Sequence, residues 1–179
     1  MNRLTRRKML LAGSAGVSTL VLSGISALAI GAKTSLSTAD ILAIQELNAR
    51  HFYALDGLDS LISGDPGTYW AKTFTANGTF SIAKQNGEVL LKASGFDELI
   101  RAYKTFPDIA TTRHWINDLI IETDSGGVKS GCYIMAMNIK NNPATVIRTG
   151  IYKDRLVKVR QNWRFQSRTL ILDPNSPAG

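Results

Sequence analysis

The sequence predicts a single α+β domain, with helices packed on one face of a curved, mostly antiparallel sheet. Three observations lead there. Helix-patterned segments crowd into the stretch from Ser37 to Phe106. Long β-rich runs then follow one another from His114 to Leu172, with only short turns between them. The 179 residues, 44% apolar and 20% charged, suit one core and leave little room for a second. Helices first and a meander afterwards is the α+β order of elements.

Residues 1–32 stand apart from that domain. Arg3, Arg6, Arg7 and Lys8 precede an uncharged stretch from Met9 to Ala32, and Ala27-Leu28-Ala29 offers small residues for cleavage after Ala29. This is the layout of an export signal. Thr5-Arg6-Arg7-Lys8-Met9-Leu10 resembles a twin-arginine motif, with Met9 where that pattern prefers Phe. The segment is therefore expected to engage the twin-arginine or Sec export machinery and to place the mature protein in the periplasm or outside the cell. An uncleaved membrane anchor is the alternative, since the run is long enough to span a bilayer.

Residues 33–37 form a linker, and residues 38–172 form the domain. Ser37 reads as an N-cap with Asp40 three residues on, a capping box. Ala39 to Leu55 contains no Gly or Pro, and Ile41, Ile44, Phe52 and Leu55 share a helical face. Gly57 ends that helix. Leu58 to Lys72 reads as two short helices broken by Gly64-Asp65-Pro66-Gly67, and Ala76-Asn77-Gly78 reads as a turn. Thr79–Ala83 and Val89–Lys92 flank Asn86-Gly87 as a hairpin. Ser94 and Asp97 predict a second capping box, for a helix running to Phe106 and stopped by Pro107. Strands are expected at His114–Thr123, Val128–Ile139, Thr145–Leu156 and Gln161–Leu172, followed by a tail over 173–179.

The net charge of +7 raises the question of nucleic acid. Four of the 21 basic residues belong to the leader, which leaves 17 basic against 14 acidic residues of mixed order. No basic stripe interleaves with aromatics, so nucleic-acid binding is not expected. Cys132 is the only cysteine, which rules out an intrachain disulfide. With His51 and His114 as the only histidines, no zinc spacing exists and no metal site is expected.

Several motifs carry a family resemblance. Asp40-Ile41-Leu42-Ala43-Ile44-Gln45-Glu46-Leu47 and Tyr53-Ala54-Leu55-Asp56 resemble the first helix of SnoaL-like domains in the NTF2-like superfamily. Phe74-Thr75-Ala76-Asn77-Gly78 is similar to their F-x-x-D-G turn, with Asn77 in place of Asp. Thr112-Arg113-His114-Trp115-Ile116-Asn117 resembles a strand start of that family, and Gly150 to Asp154 with Trp163-Arg164-Phe165 and Arg168 resemble its last two strands. The resemblance implies a cone-shaped fold that commonly forms a homodimer or homotrimer through its open sheet.

In the dehydratase and dehydrochlorinase branches an Asp closing the first helix pairs with a His opening a central strand. Asp56 and His114 match those positions. A carboxylate on one imidazole nitrogen fixes the tautomer and stabilises the imidazolium, and the other nitrogen is free to move protons. The implied reading is a cofactor-independent lyase, such as a dehydratase, or an isomerase, acting on a small hydrophobic cyclic molecule. A non-catalytic ligand-binding or oligomeric role is the alternative. Tyr53, Tyr69, Trp70, Asn117, Tyr133 and Arg168 are the candidate substrate contacts. The tyrosines also fit core aromatics with a hydroxyl at the rim, and Trp70 also fits the core. Among Arg148, Arg164 and Arg168, one facing inward would suit a carboxylate or enolate, while solvent-facing or interface roles are the more expected ones. His51 reads as a helix-surface or packing residue, and Cys132 as packing. The residue before Asp56 is Leu55 and there is no third histidine, so scytalone itself is not the expected substrate.

Overall fold

The computed structural model describes residues 35–107 and 109–176. The expected export signal and residues 177–179 of the tail lie outside the described residues. The elements are α1 (Thr38–Leu55), α2 (Pro66–Ala71), β1 (Phe74–Ala83), β2 (Val89–Ser94), α3 (Phe96–Thr105), β3 (Thr112–Asp124), β4 (Gly127–Asn138), β5 (Thr145–Val159) and β6 (Asn162–Leu172). The strands form one six-stranded sheet in the order β2-β1-β6-β5-β4-β3. Neighbours run antiparallel except β1 and β6, which pair in parallel. The helices cover one face, giving a curved α+β architecture. Among the described residues, no helix is long and apolar enough to cross a membrane.

The capping box at the start of α1 forms as the spacing predicts. Ser37 Oγ accepts the Asp40 N–H at 3.1 Å and donates back to Asp40 Oδ2 at 2.7 Å. Asp40 Oδ1 accepts in addition from Lys158 Nζ at 2.8 Å and from Trp163 Nε1 at 3.0 Å, both on the β5–β6 hairpin. Lys158, Ser37 and Trp163, in that order, hold the Asp40 carboxyl far below the usual carboxylate range. The inward face of α1 buries Ile44, Leu47, Asn48, His51, Phe52 and Leu55, while Ile41 stays exposed near the N-terminus.

Two local expectations are corrected. Ala76-Asn77-Gly78 is not a free turn but an irregular part of β1, where the pairing with β6 slips between Phe74 and Thr79. The crossing is tight there: a Cβ on Gly78 would sit 2.9 Å from the Phe165 carbonyl oxygen. Ser94 does not cap α3. Its pairing with Thr79 keeps it in β2, its N–H is taken by Glu98 Oε2 at 2.9 Å, and Gly95 at φ 79° provides the N-cap without a side-chain bond. A positive φ is what glycine accepts at no steric cost.

His51 is fully buried and its hydrogen bonds leave one tautomer. The Trp70 indole N–H can only donate, and it reaches His51 Nε2 at 3.0 Å. Nδ1 therefore carries the proton and donates to Thr73 Oγ1 at 3.0 Å, and that hydroxyl donates to the Trp70 carbonyl at 2.6 Å. The ring meets Phe52, Phe74 and Phe165 edge-on at 5.2, 5.6 and 5.2 Å between centroids. Burial pushes the His51 pKa well below 6.5, with the Arg168 charge acting in the same direction.

A pH dependence follows from this buried neutral ring. The unfolded chain protonates His51 below about 6.5, whereas the folded chain does not. The unfolded state then binds more protons, so stability falls as pH falls, by at most ~1.4 kcal/mol per unit from this group. Urea midpoints measured between pH 7.5 and 5.5 are expected to drop in wild type and to flatten in His51→Gln. An equal slope in both proteins would contradict the assignment.

The outward face of the sheet mixes apolar residues such as Ile120, Tyr133 and Ile151 with Glu122, Lys129, Lys153 and Arg155. Trp115, Ile120, Tyr133 and Val146 are exposed there or along its rim. A shallow concavity of about 660 Å³ crosses this face, floored by Gly131 and bordered by Ile120, Tyr133, Ile151 and Lys153.

Candidate active site

The C-terminus of α1 and the first residues of β3 meet at the sheet edge. Asp56 is the C-cap of α1, so its backbone leaves the helix while its side chain stays under the last turn. His114 lies opposite Ala136 of β4, a residue with no exposed surface, and so points to the covered face of the sheet. The two side chains meet there. His114 Nδ1 lies 2.5 Å from Asp56 Oδ1, and the His114 backbone N–H donates to Asp56 Oδ2 at 3.1 Å. A carboxylate only accepts, so Nδ1 carries the imidazole proton. Nε2 then holds the lone pair, and no group among the described residues engages it.

Both side chains are nearly enclosed, at 8% exposure for His114 and 5% for Asp56. The remaining opening leads into a cleft of about 600 Å³ between α1 and the edge strand β3. Its walls include Gln45, Ala49, Phe52, Tyr53 and Leu58 on one side and Trp115, Ile116 and Leu119 on the other. The outward-face concavity is slightly larger but contains no base of this kind. The α1–β3 cleft is bordered by the His114–Asp56 pair, an arrangement that can hold and move a proton.

A bulge shapes the far end of the cleft. Asn117 pairs with Tyr133 and Ile120 with Gly131, so Asp118 and Leu119 together oppose Cys132 alone. Asp118 takes the left-handed conformation at φ 54°, which Asp tolerates better than most residues. The extra residue switches the phase of β3: His114 and Ile116 face the core before it, Leu119 and Ile121 after it.

The other candidate contacts divide. Tyr53 lines the cleft, and Asn117 borders it from the edge strand with its side chain in phase with the outward-facing Tyr133. Tyr69 does not, because its hydroxyl accepts from Arg50 Nη1 at 2.9 Å on the outer side of α1. Trp70 is a core residue with no exposed surface, held by His51. Tyr133 is 59% exposed on the outward face of the sheet, since it is in phase with Asn117 on the side opposite Cys132.

Arg168 faces inward but is wholly enclosed. Its guanidinium lies 4.2 Å from the Tyr152 ring centre, 4.3 Å from Phe165 and 5.0 Å from Phe52. Nη2 donates to Asn48 Oδ1 at 2.9 Å, and Nε sits 3.4 Å from Asp154 Oδ1 without a well-formed bond. Phe52 separates it from the dyad, its ring lying 5.8 Å from that of His114. Burial raises the Asp154 pKa, against the opposing pull of Arg168 and of the Ser130 hydroxyl. Cys132 packs beside this pair, and burial pushes its thiol pKa up.

One cleft residue was not singled out in the sequence. Arg113 precedes His114, and alternation points it away from the core. Its long side chain instead turns around the sheet edge to α1, where Nη1 donates to the Thr112 carbonyl at 2.8 Å and reaches the Asp56 carbonyl at 3.4 Å. The available signal was that the last turn of α1 contains no basic residue of its own. Helix C-termini favour a cation and leave carbonyls in need of donors. Among the described residues, no three His, Cys, Asp or Glu side chains cluster as a metal would require.

Known proteins agree with this architecture. The SnoaL-like domain family matches residues 37–169. No curated protein matches the chain. A protein of unknown function with a cystatin-like fold from Nostoc punctiforme superposes with a TM-score of 0.62 at 24% identity, over 80% of this chain and 98% of that one. ActVI-ORFA from Streptomyces coelicolor gives a TM-score of 0.60 at 20% identity, over 76% of this chain and 98% of that one. An NTF2-like protein with a cystatin-like fold from Novosphingobium aromaticivorans gives 0.59 at 14% identity, over 81% and 96%. At these identities the likeness is one of fold.

Proposed function

The chain belongs to the SnoaL-like domain family, and from that premise we propose that its α1–β3 cleft takes a small hydrophobic cyclic molecule on which His114 acts as general base. The observation that carries this reading is the two-point grip of His114 on the Asp56 carboxylate, which leaves Nε2 as the unengaged nitrogen at the cleft.

The chemistry is that of a lyase or isomerase without a cofactor. Nε2 takes a proton from a carbon of the substrate, and the Asp56 carboxylate stabilises the imidazolium that forms. In a dehydration, the electron pair of the broken C–H bond forms the new double bond as the C–O bond breaks. The departing hydroxyl takes the proton from Nε2 and leaves as water. In an isomerisation the same proton returns to a different carbon. Phe52, Tyr53, Leu58 and Trp115 supply apolar walls for a ring system. The proposal includes export through residues 1–32 and pairing of two or three copies through the outward sheet face.

Native mass spectrometry of the mature protein tests both parts. A retained ligand of a few hundred daltons with a cyclic skeleton, on a dimer or trimer, is the expected spectrum. Incubation with that ligand's hydrated precursor should shift its mass by one water. A ligand that comes off chemically unchanged with every precursor offered would reduce the protein to a binding module.

A further inference from the structure

We infer that Arg113 is an anion-recognition residue of the cleft, and that the molecule bound there carries a carboxylate, or an enolate oxygen of equivalent charge, beside the carbon presented to His114. This inference rests on the proposed cleft and deepens it, because it names the charged feature of the substrate.

The Arg113 guanidinium carries five N–H groups. Nη1 is committed to the Thr112 and Asp56 carbonyls. Nε and Nη2 engage no partner among the described residues. These two nitrogens form the side-on fork of arginine, whose spacing matches the two oxygens of a carboxylate. The residue is half-buried and lines the cleft directly beside His114. Fixing one nitrogen on two main-chain carbonyls also removes much of the side chain's freedom, so the fork is held ready before a ligand arrives.

The remaining charges make the cleft directional. The Asp56 carboxylate keeps its charge, but both its oxygens accept from His114 and the Arg113 guanidinium, which reaches the Asp56 carbonyl, offsets it at that end. The other carboxylate of the cleft is Asp118, at the bulge. It lies five positions along the strand from Arg113, or about 16 Å at strand spacing. An anionic group is attracted at the Arg113 end and repelled at the Asp118 end. A ring system between them meets Phe52, Tyr53 and Trp115. One orientation is therefore favoured, with the anion beside the base and the neutral end toward Asp118.

The test uses 2-naphthoate and the uncharged 2-naphthamide as probes of the mature protein, with affinities measured by calorimetry and the His114 imidazole followed by NMR. Naphthoate is expected to bind about 10- to 100-fold more tightly than naphthamide, and both should shift the His114 ring signals. Arg113→Met should bring naphthoate down to the level of naphthamide, while Arg113→Lys, which keeps the charge but not the fork, should keep part of the preference. Equal binding of the two probes to wild type, or an undiminished preference in Arg113→Met, overturns the Arg113 assignment and leaves the cleft in place. Failure of both probes to bind or to move the His114 signals overturns the assignment and the cleft reading together. A melting temperature for each variant separates lost binding from lost fold.

Discussion

Replacement of His114 by alanine is expected to lower turnover by about 10²- to 10⁴-fold while ligand affinity changes little. The ring exposes only a small part of its surface to the cleft, so truncation removes little apolar contact. What it removes is the one imidazole among the described residues that line the cleft. Asp56→Asn should cost nearly as much for a different reason. An amide presents a donor where the imidazole Nδ1–H needs an acceptor, so the ring is driven to the other tautomer and loses its lone pair at Nε2. The pair should be markedly non-additive, the double variant being about as slow as the worse single one. Single-turnover rates and ligand affinity measured on the same samples check this. Retention of most of the turnover in His114→Ala would sink the general-base reading.

The second large effect lies in the core. Asp154→Ala is expected to destabilise the fold by about 3–5 kcal/mol, because it strands the Arg168 guanidinium in a site with no water access and leaves Ser130 without its acceptor. Removing both charges with Asp154→Leu and Arg168→Met should recover most of that loss, since an apolar pair of similar volume avoids the desolvation cost entirely. Urea unfolding of the single and double variants decides the matter. A single variant within about 1 kcal/mol of wild type, or a double variant no better than the single, would mean that the pair contributes little. The existing geometry already hints at a poor compromise. Among the described residues, Arg168 Nε and Nη1 and Asp154 Oδ1 have no hydrogen-bond partner. Three aromatic rings around the guanidinium supply part of the missing stabilisation.

Much of this molecule could be read along the chain, and the exceptions have common causes. Local rules worked where the determinants were local. The capping box at Ser37 and Asp40 and the short turns between β3, β4, β5 and β6 needed only neighbouring residues. The parallel joint between β1 and β6 joins segments some ninety residues apart, and no short-range pattern encodes it. Ser94 was misassigned because pairing with Thr79 outweighed its intrinsic preference for a cap. The bulge at Asp118 flipped the phase of half a strand, which strict alternation does not anticipate.

The site shows the same division. Asp56 and His114 came from a resemblance, and the structure sets them in contact across 58 positions of sequence. Tyr69, Trp70, Tyr133 and Arg168 were chosen by residue type and element, with no information about facing. Trp70 and Arg168 went into the core because His51 and Asn48 on α1 offered them partners. Arg113 was passed over because a strand's alternation says where a Cβ points, not where a side chain of seven heavy atoms can end.

Helix α1 is tied down at its two ends by carboxylates that face different parts of the sheet. Asp40 gathers the β5–β6 hairpin at one end, and Asp56 receives β3 at the other. Between these moorings, Gln45, Ala49 and Tyr53 recur every four residues along the cleft and have no anchoring duty of their own. The helix thus resembles a beam whose supports are separate from its working surface. Substitutions at those three positions can recut the cleft without disturbing the contact between Asp56 and His114, so the shape of the cleft and the alignment of the pair are free to change independently.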